Sequence, residues 1–187
     1  MDHRDHVELL RPAVPGPGGT WADLGSGDGA FTLALADLVG PDGVIHSVDR
    51  DAAALRRQER AMRARFPSAA VRYLPADFGG PLDLPTLDGA VMANSLHFAR
   101  DQAAVVRRVA GLLRPGGRLI LVEYDADRGN PWVPYPLSYR TWEALAGRAG
   151  LVGVRRVGRV PSRFLGAIYS SVAFVPGGTE DPAAEVP

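Results

Sequence analysis

The chain has 187 residues, a length typical of one domain, with 46% hydrophobic residues and 21 basic against 21 acidic side chains. A net charge of zero provides no general field for nucleic acid or an anionic membrane, so neither is an expected partner. The basic residues are all arginine and cysteine is absent, which excludes lysine Schiff bases, thiol nucleophiles and cysteine-ligated metals.

The first two thirds of the chain alternate between predicted strands and helices. The strands are predicted at 21–24, 43–48, 70–74, 89–93 and 118–124, and the helices at 3–10, 30–39, 52–65 and 102–113. This alternation favours a parallel sheet with helices on both faces.

The pattern changes after Tyr124. A proline-rich loop over 125–137 precedes a predicted helix at 139–148, and segments 152–160 and 166–175 are separated by only a short turn. The two segments therefore predict an antiparallel hairpin added to the sheet. We expect one domain over 1–175 and a disordered tail over 176–187, which lacks aromatic residues.

A polar N-terminus and short apolar runs characterise the rest of the chain. Met1–His6 has no apolar secretory segment behind it, and no apolar run approaches the roughly 20 residues that span a bilayer. We therefore expect a cytoplasmic protein. His3 and His6 share a helix face but have no evident third ligand, so no metal site is predicted.

The glycine-rich segment Gly25–Gly29 lies between the first strand and the helix that follows. Glycines let the backbone turn sharply and approach a ligand, and the helix start offers amides without intrahelical partners. By itself such a loop can also be a plain turn.

Acidic residues end the next two strands. Asp49 lies 24 residues after Gly25, where a carboxylate can accept both hydroxyls of a ribose. Asp77 precedes Phe78, and this pair can meet the amine and the face of an adenine. Each acid alone could be a solvated strand end, but with the loop they favour a nucleoside-containing ligand.

On these residues the sequence resembles class I S-adenosylmethionine-dependent methyltransferases, in particular the small-molecule group that includes the ubiquinone and menaquinone biosynthesis methyltransferases. The matching segments occur in family order at 23–29, 48–49, 76–78, 87–98 and 113–119. The resemblance implies an α/β, Rossmann-like doubly wound sheet of seven strands in the order 3-2-1-4-5-7-6, with the last inserted strand antiparallel. It also implies methyl transfer from S-adenosylmethionine, with S-adenosylhomocysteine as product, to an oxygen, nitrogen or carbon atom of a small molecule.

The resemblance also assigns the cofactor-binding residues. Asp23 would lie beneath the glycine loop near the amino group, Asp49 at the ribose, and Asn94 near the sulfonium. The full set is Asp23, Gly25, Ser26, Gly27, Asp49, Arg50, Asp77, Phe78 and Asn94.

Catalytic and acceptor-binding residues are expected after the fourth and fifth strands. His97 is the candidate general base, or else a residue that shapes its loop by bonding the backbone. Tyr124, Trp132 and Tyr135 are candidate acceptor contacts, although the last two can equally be surface packing. A second subunit, giving a homodimer, could complete an open site.

Three alternatives remain at this stage. A non-catalytic S-adenosylmethionine-binding protein would keep the same acids. A NAD(P)-binding oxidoreductase would use Gly25, Gly27 and Ala30 as a dinucleotide fingerprint, but Asp23 and Asp28 would place negative charge near the pyrophosphate. An RNA acceptor would use the arginine-rich helix over 52–65, whose charges are otherwise a solvated face.

Overall fold

The computed structural model describes residues 1–177. Seven strands in this range form one sheet: β1 (Thr20–Leu24), β2 (Val44–Asp49), β3 (Ala70–Pro75), β4 (Leu87–Ala93), β5 (Leu113–Tyr124), β6 (Val152–Ser162) and β7 (Gly166–Phe174). The α-helices are α1 (His3–Leu10), α2 (Ala30–Val39), α3 (Ala52–Arg65), α4 (Gln102–Ala110) and α5 (Tyr139–Arg148). Short 3₁₀ turns lie at Arg11–Ala13 and Leu96–Phe98.

The sheet has the strand order β3-β2-β1-β4-β5-β7-β6. Strands β1 to β5 run parallel, and β7 runs antiparallel between β5 and β6. The predicted fold class, strand order and antiparallel inserted strand are therefore confirmed. The predicted disordered tail falls, apart from residues 176 and 177, outside the described residues.

Helices cover both faces of the sheet because alternate strand residues point to opposite sides. Ile120 and Val122 pack with α1 and α2, whereas Leu119 and Leu121 pack with α4 and α5. Trp142 on α5 is fully buried, and its indole N–H donates to the Ser171 hydroxyl at 3.0 Å.

Carboxylates cap the N-termini of α3 and α4. The Asp51 side chain accepts the Ala53 N–H at 2.8 Å, and that of Asp101 accepts the Ala104 N–H at 2.9 Å. These N-caps satisfy amides at the helix start and direct each chain back across the sheet.

The boundary between α4 and β5 was predicted wrongly. The helix ends at Ala110 instead of Leu113, and β5 starts at Leu113 instead of Arg118. Leu113 is buried and pairs with Leu87, and the register then shifts by a bulge before Gly89 meets Arg118. The proline- and glycine-containing segment 114–117, which the prediction left between the helix and the strand, therefore lies within an irregular strand.

Candidate functional site

A cavity of about 470 Å³ opens at the carboxyl edge of strands β1 to β4. Its position follows from the topology. The chain leaves β1 toward β2 on one side of the sheet and later returns to β4 on the other, and the crevice at such a switch point is the usual ligand site of open α/β sheets. The volume lies within the range of small-molecule sites, roughly 300–1,000 Å³.

The cavity wall includes residues that are distant in sequence. The predicted cofactor residues in it are Gly25, Asp49, Arg50, Asp77, Phe78 and Asn94. They come from the ends of four different strands, so it is the parallel sheet that brings them to one place. The remaining predicted residues, Asp23, Ser26 and Gly27, lie beneath or beside this wall.

Gly25 packs against two side chains of the wall. Its φ of +78° lies in the left-handed region, and a Cβ there would be 2.5 Å from the Ser95 Cβ and 2.9 Å from the Phe78 Cε1. The Ser95 hydroxyl donates to the Leu24 carbonyl at 2.7 Å, which holds the crowding residue in place. Only glycine fits this position without moving the loop.

Asp49 organises the backbone around the cavity. One carboxylate oxygen accepts the Gly27 N–H and the other accepts the Asp51 N–H, both at 2.8 Å. Each oxygen keeps further acceptor capacity for a ligand hydroxyl, because a carboxylate has about four lone-pair sites. Asp49 is therefore not a solvated strand end, because its carboxylate holds the glycine loop.

The opposite wall contains Asp77, Phe78 and Asn94. The Asp77 carboxylate accepts the Gly79 N–H at 2.8 Å, and Phe78 is half-buried beside Gly25. Asn94 has a φ of +51°, the one positive value outside glycine in the described range. Its Oδ1 is buried and finds no hydrogen-bond partner within residues 1–177, so its acceptor capacity is unused there.

Asp23 belongs to a buried polar network. Its carboxylate accepts the Thr32 hydroxyl at 2.6 Å, and the Gln58 amide in turn donates to Thr32 at 3.0 Å. Ser47 bonds Gln58 Oε1 at 2.5 Å and lies 2.8 Å from the Ser26 hydroxyl. The network connects β1, β2, α2 and α3 to the glycine loop. Its bond to Ser47 holds the Ser26 hydroxyl toward β2.

Burial dominates the electrostatics of Asp23. The side chain is 1% exposed, and this desolvation raises its pKa to about 7, with a smaller increase from Asp49 and an opposing decrease from Thr32. A carboxyl group with that pKa changes charge near neutrality, directly beneath the loop.

His97 and Glu123 form a buried pair, of which the sequence predicted only His97 as a functional residue. The Nδ1 atom of His97 lies 2.8 Å from Glu123 Oε2, and the His97 N–H donates to Glu123 Oε1 at 3.2 Å. The side chains are 3% and 0% exposed, respectively. His97 Nε2 makes no hydrogen bond to any residue in the described part of the chain. The His97 ring lies behind the cavity wall, 4.3 Å from the ring of Phe98, which belongs to the wall.

The candidate acceptor residues separate into two groups. Tyr124 and Trp132 lie near the ring of Phe164, at 5.8 and 6.5 Å between centroids. Tyr135 is joined to His97 through its backbone N–H, which donates to the His97 carbonyl at 3.0 Å. All three lie outside the cavity wall formed by residues 1–177.

Sequence reasoning missed several polar partners of the predicted residues. One signal was available for Gln58, because it occupies an apolar helix face with Leu55 and Met62 at three- and four-residue spacing. No local signal identifies Glu123 as the partner of His97, since the contact depends on the pairing of β4 with β5.

Charges of both signs surround the cavity. Its wall includes the acids Asp49, Asp77 and Asp101 and the arginines Arg50, Arg100 and Arg108. Arg108 donates to the Gly79 carbonyl, which bridges α4 to the segment after Asp77. The site therefore has hydrogen-bond donors and acceptors for a polar ligand of mixed charge.

The chain is similar to known methyltransferases. The family model for the methyltransferase domain matches residues 22–119. An uncharacterized methyltransferase of Mycobacterium bovis is 35% identical over 123 residues, which are 64% of this chain and 58% of that protein. A ubiquinone/menaquinone biosynthesis C-methyltransferase of Pasteurella multocida is 30% identical over 104 residues, 55% of this chain and 39% of that protein.

The chain thus spans less than two thirds of the length of these curated relatives. Among solved structures, a SAM-dependent methyltransferase from Aquifex aeolicus superposes with a TM-score of 0.72 at 19% identity, covering 91% of this chain and 89% of that one. At this identity the likeness bears on the fold. No helix of residues 1–177 is long and apolar enough to cross a membrane.

Proposed function

The chain belongs to the methyltransferase domain family, and on this premise we propose that it binds S-adenosylmethionine in the cavity and transfers its methyl group to a small-molecule acceptor. The resemblance found in the sequence is confirmed at the family level.

One observation carries the proposal. Gly25, Asp49, Asp77, Phe78 and Asn94, selected from sequence alone, lie in the wall of one cavity. Four strand ends supply them, so their meeting does not follow from nearness in the chain.

The residues fit the proposed ligand. Gly25 leaves space where any Cβ would collide with Ser95, and the cavity is large enough for a nucleoside with a short side chain. The buried Asn94 Oδ1 needs a donor, which the ligand can supply. The three acids and three arginines of the wall suit a ligand that carries groups of both charges.

Each cofactor residue has a distinct part in this proposal. Asp49 accepts ribose hydroxyls through its remaining lone pairs while it keeps the loop in place. Asp77 accepts the adenine amine and Phe78 covers the ring. Asp23 acts from beneath the loop, through the Thr32–Gln58 network, rather than by lining the cavity. Arg50 forms part of the cavity wall.

The bound cofactor supplies an electrophilic methyl group, and the chain supplies orientation, exclusion of water and a base. Glu123 accepts from His97 Nδ1–H, so Nε2 carries the lone pair that takes a proton from the acceptor. His97 lies outside the cavity wall, but its ring is 4.3 Å from that of Phe98, which belongs to the wall.

Isothermal titration calorimetry tests the proposal. S-adenosylhomocysteine should bind with one-to-one stoichiometry, whereas NAD at the same concentration should give no saturable heat. Heat with NAD and none with S-adenosylhomocysteine would contradict the proposal. A tight complex with S-adenosylhomocysteine, but no transfer of labelled methyl to any member of an acceptor panel, would favour the non-catalytic binder.

The remaining expectations stay predictions. These are a single domain over residues 1–175, a cytoplasmic location, a homodimer that completes an open site, and an acceptor other than nucleic acid. The acceptor atom, oxygen, nitrogen or carbon, is left open.

A further inference from the structure

Five rings from four separate segments form a row of neighbouring rings, which we call the aromatic strip. In spatial order it consists of Phe98, His97, Tyr124, Phe164 and Trp132. Successive ring centroids are 4.3, 6.1, 5.8 and 6.5 Å apart. The interplanar angles of 50°, 51°, 57° and 81° correspond to tilted and edge-on contacts.

The strip has a buried floor and exposed rings. His97 is 3% exposed, whereas Phe98, Phe164 and Trp132 are 57%, 49% and 72% exposed. Single exposed aromatics need no explanation, but connected ones mark a binding surface. The exposed faces of Phe98, Phe164 and Trp132 are apolar, and a ligand that covers them would remove this apolar surface from water.

The strip begins at the cofactor cavity. Phe98 belongs both to the cavity wall and to the strip, and the far end consists of Phe164 in the turn between β6 and β7 and Trp132 in the loop before α5. A ring held along the strip therefore lies next to the proposed cofactor and above the His97–Glu123 pair.

The loop that presents Trp132 is fixed by its backbone. Asn130 Oδ1 accepts the N–H groups of Trp132 and Val133, both at 2.9 Å, and the Tyr135 N–H is bonded to the His97 carbonyl. This arrangement reduces the ordering cost of binding. Arg159 lies 3.6 Å from Asp125, the residue after Tyr124.

We propose that the aromatic strip binds the ring of a flat aromatic methyl acceptor, with Phe164 and Trp132 as its outer contacts. The inference rests on the proposed function and deepens it by naming a substrate class. It adds Phe98 and Phe164 to the predicted acceptor residues. Tyr135 contributes only its backbone N–H, which donates to the His97 carbonyl.

Two matched probes test the inference on the full chain saturated with S-adenosylhomocysteine. These are 2-naphthol and decahydro-2-naphthol, which share a carbon skeleton and a hydroxyl but differ in flatness. Calorimetry should give at least about fivefold tighter binding of 2-naphthol. Phe164→Leu and Trp132→Leu should each weaken 2-naphthol by about 2- to 12-fold, the range for one aromatic contact, and leave decahydro-2-naphthol within about twofold. Phe66→Leu, the same exchange after α3 at the opposite edge of the sheet, is the control and should change neither probe.

The outcomes separate the two proposals. Equal affinity for both probes would overturn the acceptor site on the aromatic strip, as would 2-naphthol binding that is unchanged in Phe164→Leu and Trp132→Leu. In either case, binding of S-adenosylhomocysteine would still support the proposed function. Loss of S-adenosylhomocysteine binding in the wild type overturns the proposed function itself. Sedimentation that shows a dimer broken by Phe164→Leu, together with no naphthol binding, makes the strip an interface between two copies and overturns the acceptor site.

Discussion

Asp49 combines two tasks at a single residue, because its carboxylate holds the Gly27 and Asp51 amides and still faces the cavity. We predict that Asp49→Ala weakens S-adenosylhomocysteine binding by roughly 10- to 150-fold, the equivalent of a charged hydrogen bond of about 1.5–3 kcal/mol. Asp49→Asn keeps an acceptor oxygen and should retain part of the affinity. Titration calorimetry on the three proteins measures this.

Two control variants test whether the loss of affinity is specific to Asp49. Asp28→Ala removes an acid from the same loop, but one that is exposed and paired with Arg57 at 2.8 Å, and should bind within about twofold of wild type. Trp132→Ala should also keep its cofactor affinity. Binding within twofold by a folded Asp49→Ala protein would remove the ribose assignment.

The His97–Glu123 pair predicts a coupling between two buried side chains. His97→Ala leaves the Glu123 carboxylate without its side-chain partner and should lower the free energy of unfolding by about 1–3 kcal/mol. Adding Glu123→Gln removes the buried charge, so the double variant should be more stable than the sum of the single losses implies. Denaturant unfolding in a double-mutant cycle measures the coupling, and additive losses would show that the pair does not interact.

Turnover distinguishes a base from a loop anchor at His97. If Nε2 takes the acceptor proton, His97→Ala should reduce the methyl-transfer rate by roughly 10²- to 10⁴-fold with S-adenosylhomocysteine affinity nearly unchanged. Glu123→Gln should lower the rate less while keeping the hydrogen-bonded shape. A rate that falls only in proportion to the unfolded fraction would leave His97 as an anchor.

Asp23 makes stability depend on pH in an identifiable direction. Its folded-state pKa of about 7 lies above the unfolded value of 3.8, so between these values the folded chain keeps a proton that the unfolded chain has released. The free energy of unfolding should therefore fall as pH rises from about 4 to 7 and then level off. Asp23→Asn removes this loss and should be more stable than wild type at pH 8 by roughly 1–4 kcal/mol.

Urea unfolding of wild type and Asp23→Asn at pH 5, 6, 7 and 8, without cofactor, tests the direction. The two stability curves should diverge as the pH rises. Parallel curves would mean that Asp23 is ionised across the range and that its burial is compensated by groups other than Thr32.

At the scale of elements, the glycine loop depends on β1 and β4 together, since Gly25 follows one strand and Ser95 follows the other. We predict that Gly25→Ala reduces S-adenosylhomocysteine affinity by more than about tenfold and lowers stability, because both φ and the Ser95 contact oppose a Cβ. Gly147→Ala, with no atom within 4 Å, is the control on α5 and should be neutral or stabilising by up to about 1 kcal/mol. Calorimetry and thermal unfolding measure both, and equal behaviour of the two variants would contradict the loop geometry.

Elements with strong local signals were predictable from sequence. Helices α1, α2, α3 and α5 agree with the observed bounds because caps, glycines and prolines mark their ends. The start of β5 was not predictable, since Leu113 joins the sheet only through its pairing with Leu87. The site shows the same division: Asp49 and Asp77 follow from strand ends, whereas the Gln58 and Glu123 contacts depend on packing between distant segments.

At the scale of the whole molecule, one sheet edge serves two purposes. The ends of β1 to β4 surround the cofactor cavity, and the end of β5 with the β6–β7 turn forms the aromatic strip. His97 joins the two regions, because it follows β4 and is paired with Glu123 on β5. We therefore predict that the cofactor and the acceptor approach one another across the junction of β4 and β5.

A crystal structure of the complex with S-adenosylhomocysteine tests the central claim most directly. We predict the ligand in the cavity between Gly25 and Phe78, with the ribose hydroxyls on Asp49 and a donor within hydrogen-bond distance of Asn94 Oδ1. A ligand bound elsewhere, or one in the cavity that leaves Asp49 and Asn94 without contact, would overturn the proposed cofactor site.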